Sequence, residues 1–198
     1  MLLIKKIKKT FNRTNVLSNL TLEVKDGELV HIEGSNGSGK STLFKLITGL
    51  LQPDTGTITM DTADVVGALI ENPGFLEFES ALTNLRFLGN SNHRFDEKRT
   101  TELMKQFELD PKNSQAVSKY SIGMRQKLGI IQAVMENQNV ILLDEPTRGL
   151  DTASIDQFIE LLQKLKTENK IVIVASHDHI DGIHYDKTLS LKNGKLVE

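Results

Sequence analysis

Cysteine is absent from this 198-residue chain. That removes two chemistries at once, a disulfide framework and a thiolate metal site. Charge of one sign is also lacking. The net charge is −2, so no strongly basic face argues for a nucleic-acid partner. Long hydrophobic runs are missing too. The longest, such as Val140–Leu143 and Ile171–Ala175, fall far short of the about 20 apolar residues that cross a bilayer, and they have the length of buried strands. The opening run Met1–Ile4 meets Lys5 and Lys6 at once, too soon for the core of a secretory leader. No internal repeat or low-complexity tract is visible. The expectation is a soluble, cytoplasmic protein of one domain, residues 1–198, with room for a core and a subdomain. Work at a membrane would need another chain to supply the membrane part. Lys5, Lys6, Lys8 and Lys9 read as a solvated edge strand, where lysine discourages unwanted pairing.

What the chain does contain is Gly34-Ser35-Asn36-Gly37-Ser38-Gly39-Lys40-Ser41. This fits the phosphate-binding pattern G-x-x-x-x-G-K-[ST]. It follows an apolar run, Leu29–Ile32, and precedes a helix-like run starting at Thr42. Glycines let the backbone curl so that successive N–H groups point at phosphate oxygens. Lys40 adds a point charge for the β- and γ-phosphates, and the Ser41 hydroxyl is a ligand for Mg²⁺. The helix that follows turns its positive end toward the same anion. The pattern implies a bound nucleoside triphosphate with Mg²⁺.

Around this loop the periodicity alternates. Leu2–Ile7 and Leu20–Val24 read as strands, with a turn at Asp26-Gly27. The helix after the loop should end near Gly49, before the turn residues Pro53–Gly56. Thr57–Met60 and Val65–Ile70 read as strands. From Ala81 to Glu136 the pattern becomes helical, with spacers at 89–94 and 110–117. Strand and helix then alternate again through Val140–Leu143, Thr152–Thr167 and Ile171–Ala175, and Asn193-Gly194 marks a closing hairpin. Strands apolar at every position are buried on both faces, as in a parallel sheet covered by helices. The fold class is therefore α/β: a P-loop core of mostly parallel sheet, N-terminal antiparallel strands, and an inserted helical subdomain at about 75–137.

Further chemistry clusters after the helical insert. Val140–Leu143 ends in Asp144-Glu145. Ligands of open α/β sheets bind at the carboxyl ends of strands, which suits Asp144 to hold Mg²⁺ through water and Glu145 to polarise an attacking water. His177 follows Ile171–Ala175, where a neutral imidazole would reach the γ-phosphate or the water. His31, His93, His179 and His184 have no such placement and read as structural or surface residues. Ser121 is a good N-cap for the amphipathic run Ile122–Met135, and Gly123 leaves room for a ligand near the backbone.

The order of these segments resembles the nucleotide-binding subunit of an ABC transporter over nearly the whole chain. Gly34–Ser41, continuing into Thr42, resembles Walker A, and Val140–Glu145 resembles Walker B. Ser121 and Gly123 fall on the signature motif, Gly149-Leu150-Asp151 on the D-loop, and His177 on the switch histidine. Phe11 falls where the family keeps an aromatic that stacks on adenine. The resemblance implies hydrolysis of ATP with Mg²⁺ and a head-to-tail dimer with a second copy, Asp151 lying at the contact. It also implies a transmembrane permease that places the chain at the inner membrane face, and no nucleic acid.

Two departures stand out. The signature reads Tyr120-Ser121-Ile122-Gly123-Met124 rather than Leu-Ser-Gly-Gly-Gln, keeping the serine and glycine that contact the γ-phosphate in the family. Glu71 replaces the Q-loop glutamine. This combination is similar to the ATPases of bacitracin-resistance and lantibiotic-immunity exporters, which implies export of an antimicrobial peptide or drug. Two unit charges about 5 Å apart repel by roughly 3 kcal/mol at an effective dielectric of about 20. Glu71 would thus weaken ATP binding unless it faces the Mg²⁺ shell with Ser41 and Asp144, and its main expected role is coupling to the membrane partner. An ABC-type ATPase that drives membrane-complex regulation or remodels soluble macromolecules is the alternative.

Overall fold

The computed structural model describes residues 1–197. In chain order it runs β1 (Leu2–Phe11), β2 (Thr14–Val24), β3 (Leu29–Glu33), α1 (Lys40–Ile47), β4 (Thr55–Thr59) and β5 (Val66–Leu69). Three helices follow, α2 (Ala81–Ser91), α3 (Glu97–Gln106) and α4 (Ile122–Val134). The chain then closes with β6 (Val140–Asp144), α5 (Thr152–Thr167), β7 (Ile171–Ser176), β8 (Lys187–Lys192) and β9 (Lys195–Val197).

The larger sheet has the order β5-β6-β7-β3-β8-β9. All its neighbours are parallel except β8 and β9, which form the hairpin at Asn193-Gly194. The smaller sheet, β2-β1-β4, is antiparallel. The expected class, α/β with a mostly parallel sheet and antiparallel N-terminal strands, is the one observed.

β6 and β7 are buried at every residue, and the pleat divides their side chains between two cores. Ile141, Leu143, Val172 and Val174 join a cluster with α4 and α5. Val140, Leu142, Ile171 and Ile173 join another with α1, β1 and β2. Helix α4 presses close against β5: a Cβ on Gly67 would lie 1.8 Å from the Ala133 carbonyl oxygen, so only glycine permits this approach. Short polar side chains start helices α2 to α5. Ser80, Asp96, Ser121 and Asp151 each accept from the backbone N–H three residues on.

The N-terminal strands correct two readings. β1 is not an edge strand; β2 and β4 flank it on both sides. Its Lys5, Lys6 and Lys8 are solvated as expected, but Lys9 is drawn to Asp54 Oδ1 at 3.1 Å. A bulge at Lys6, with φ 49°, and a register shift between Ile4 and Ile7 reset the pleat so that Leu2, Ile4 and Ile7 all face inward. Both strands also run longer than their apolar patterning implies. They meet in a two-residue turn at Asn12-Arg13, both with positive φ (46° and 68°), the geometry whose twist matches the flanking strands.

Candidate functional site

The glycine-rich loop links the carboxyl end of β3 to α1. Gly37 and Gly39 have φ of 80° and 109°, left-handed values that turn the chain around the anion position. Serines and glycines from Ser35 to Gly39, with Lys40, Ser41 and Thr42, line a cavity of about 620 Å³. Glu71, Asn72, Gln126, Asp144, Glu145 and Arg148 close its other side.

Two contacts define its chemistry. Ser41 Oγ donates to Asp144 Oδ2 at 2.5 Å. Lys40, only 6% exposed, donates from Nζ to the Gly34 carbonyl at 2.5 Å and stands 3.4 Å from Glu145 Oε1. β6 pairs with β7 up to Asp144 opposite Ala175, so Asp144 leaves the sheet at its carboxyl end, against α1. Burial holds its carboxyl above the usual carboxylate range. The Ser41 hydroxyl opposes that shift, and Glu145 and Glu71 add negative charge nearby.

These features fit a divalent cation and a phosphate chain. A buried carboxylate that resists ionisation gains most from a cation, and hydroxyl and carboxylate oxygens are the donors Mg²⁺ takes, with waters completing its shell. Ser38 Oγ, in the wall of the cavity, is buried without a hydrogen-bond partner, and Glu145 Oε1 is met only by the Lys40 ammonium. Ser41 and Asp144 would hold Mg²⁺, which when bound neutralises charge on the terminal phosphates.

Glu145 sits at φ 47°. Its N–H is tied to the Ala175 carbonyl at 2.8 Å, and Gln126 donates to its carbonyl at 2.9 Å, so the side chain is aimed by fixed backbone. His177 borders the loop from an adjoining cleft that also contains Gly34 and Ser38. It shares a third cleft with Glu145, and its Nδ1 lies 3.0 Å from Asp178 Oδ1.

Not every expected residue meets the loop. Glu71 lines the cavity, but its carboxylate pairs with Lys45 of α1 at 2.6 Å; it faces a cation of the protein itself. Phe11 is 40% exposed, with the Lys9 ammonium 5.4 Å from its ring, and does not line the phosphate cavity, whereas Val16 does. Ser121 and Gly123 stand at the start of α4 and are likewise outside this chain's own phosphate cavity. Asp151 caps α5, accepting from Ser154 N at 2.8 Å and from the Ser154 hydroxyl. Sequence reading assigned no role to Val16, Gln126 or Arg148. Gln126 had the clearest signal, a polar residue on the inward stripe of an amphipathic helix.

Residues 17–148 match the family described as ABC transporter. The uncharacterized ABC transporter ATP-binding protein YdbJ of Bacillus subtilis is 34% identical over 180 residues, covering 85% of this chain and 58% of YdbJ. The lantibiotic transport ATP-binding protein SrtF of Streptococcus pyogenes is 29% identical over 184 residues, covering 89% of this chain and 80% of SrtF. The dimeric structure of MJ0796, a bacterial ABC transporter cassette, superposes with a TM-score of 0.91 at 28% identity, covering 100% of this chain and 97% of that one. That cassette is also known as a dimer in a post-hydrolysis state bound to ADP and Pi. Together with the loop, the Ser41–Asp144 contact and the aimed glutamate, this establishes that the chain belongs to the ABC transporter family, as one of its ATP-binding, ATP-hydrolysing cassettes.

Proposed function

We propose that two copies of this cassette close head to tail around two ATP molecules and drive a separate transmembrane permease. The observation that carries this reading is the split between the phosphate cavity and the signature residues. Ser121 and Gly123 lie on the first turn of α4, outside the cavity made by their own chain, and are free to meet the nucleotide of another. The dimeric form of the MJ0796 cassette supports the same arrangement. In it Asp151 lies at the contact, and Phe11 stacks on the adenine.

Each residue then has a task. The loop from Gly34 to Thr42 binds the phosphates through its backbone and Lys40. Ser41 and Asp144 hold Mg²⁺, while Glu71, paired with Lys45, serves coupling to the permease. Glu145 accepts a proton from the attacking water, and His177 orients the terminal phosphate. A dimer that is stable only with the triphosphate gives the permease a two-state element to follow.

The helical subdomain, about residues 75–137, is the surface for the permease. Leu76 and Phe78, which follow the Glu71 segment in the chain, and Phe87 of α2 are 44%, 91% and 55% exposed, apolar side chains of the kind that a partner helix covers. No helix among the described residues is long and apolar enough to cross a membrane. In this reading the permease supplies the membrane part, and the cassette docks on its cytoplasmic face. The likeness to SrtF, a lantibiotic transport ATP-binding protein, favours export of an antimicrobial peptide.

Mixing two defective chains tests the composite site. Lys40→Ala and Ser121→Arg should each abolish hydrolysis alone. Mixed, they form one site with an intact loop and an intact signature, and activity returns. If both motifs act within one chain, the mixture stays inactive.

A further inference from the structure

Outside the nucleotide site, β3 and the segment after β7 bring together His31, Glu33 and His179, one donor atom of each lying within 4.8 Å of the others. His31 is fully buried, and its Nδ1 has no hydrogen-bond partner. Its other nitrogen fixes the reason. Ser176 Oγ donates to the Asp178 carbonyl at 2.6 Å, and a carbonyl can only accept. The hydroxyl proton is therefore spent, and Ser176 Oγ must accept from His31 Nε2–H at 2.6 Å. In that tautomer Nδ1 carries a bare lone pair, and it faces Glu33 Oε1 at 3.5 Å. A lone pair opposed to a carboxylate, with an imidazole alongside, is an arrangement of donors converging on a cation.

We propose that His31 Nδ1, Glu33 and His179 form a binding site for a divalent transition metal of the zinc class. Two imidazoles and one carboxylate suit zinc rather than magnesium or calcium, which take oxygen donors. Zinc bonds of about 2.0–2.1 Å place tetrahedral ligands roughly 3.4 Å apart. His31 and Glu33 already meet that spacing, and the exposed imidazole of His179 closes the set by rotating, with solvent as the fourth ligand. The Ser176 contact is the outer partner that orients a ligating histidine. Tyr185, stacked on His31 at 4.6 Å and 16°, fixes the ring from one face. Its place in the chain gives the site a consequence. Glu33 immediately precedes Gly34 of the phosphate loop, and His179 follows His177 by two positions. A metal here ties the entrance of the loop to the segment that carries the switch histidine.

Calorimetric titration of the full chain with Zn²⁺, in excess Mg²⁺ to fill the nucleotide site, is the test. One Zn²⁺ per chain is expected, with affinity weakened at least about tenfold in His179→Ala and in Glu33→Gln and unchanged in Asp144→Asn. Hydrogen exchange across residues 176–181 should slow on adding Zn²⁺ and stay unchanged in His179→Ala. Equal Zn²⁺ affinity in wild type and His179→Ala, or loss of binding only in Asp144→Asn, would overturn the site. Because His179 is exposed, its variant tests binding without a change in the core.

Discussion

The Ser41 hydroxyl donates to Asp144 Oδ2 at 2.5 Å across 103 positions of sequence. One residue lies in the first turn of helix α1 and the other ends strand β6, so this contact joins the glycine-rich loop to the carboxyl end of that strand. It sets a hydroxyl and a carboxylate side by side, the oxygen donors that Mg²⁺ would take, and burial raises the Asp144 carboxyl.

That shift sets a pH dependence. Burial raises the Asp144 carboxyl above its ordinary value. The folded chain then holds a proton that the unfolded chain has released, and stability of the metal-free protein falls as pH rises through the folded pKa. Asp144→Asn keeps an acceptor for Ser41 and removes the charge. At pH 8 in chelator it should melt higher by about 2–4 °C, the equivalent of about 1 kcal/mol. Its melting curve should also lose the pH slope, and added Mg²⁺ should no longer tighten ATP binding. A variant less stable than wild type at pH 8 would contradict this.

Glu71 and Lys45 form a largely exposed pair, with side chains 58% and 33% exposed. Such pairs contribute about 0–1 kcal/mol. Glu71→Gln should therefore shift the melting temperature by no more than about 2–4 °C. Basal ATP hydrolysis should stay within about tenfold, one decade being about 1.4 kcal/mol, while permease-coupled transport changes. Complete loss of basal hydrolysis would assign Glu71 to the metal shell instead of coupling.

The contact between Gly67 and Ala133 tests the fold. Gly67→Ala forces a methyl against the Ala133 carbonyl and should cost about 1–3 kcal/mol, a fall of several degrees in thermal unfolding. Gly74→Ala is the control, since nothing lies within 4 Å of its added carbon. Equal melting temperatures for the two variants would mean that α4 does not sit against β5 as described.

The phosphate loop was legible in sequence because its chemistry is contiguous. Residues 34–41 must curl, cap a helix and carry one lysine within a single turn, and few sequences do so. Asp144 and Glu145 were legible because an apolar run that ends in carboxylates has one sensible place in a parallel sheet. The hairpin at Asn12-Arg13 was not, because its left-handed residues include no glycine. β1 as a middle strand was missed for a different reason: its partners lie at Thr14–Val24 and Thr55–Thr59, and lysines on its solvated face look the same whether the strand is central or at an edge. The sequence marks His31 and His179 only as structural or surface residues, and their proximity to each other is visible only in the fold. Lys45 likewise meets Glu71 through the path of a loop, which no periodicity encodes.

The central claim is that ATP is enclosed between two copies, with the Glu145 carboxylate needed for hydrolysis and not for closure. Glu145→Gln mixed with ATP and Mg²⁺, then run on a sizing column with light scattering, tests it most directly. The expected result is an ATP-bound dimer, with hydrolysis slowed at least about a hundredfold; a monomer that binds ATP tightly, or a dimer that hydrolyses at the wild-type rate, would contradict it.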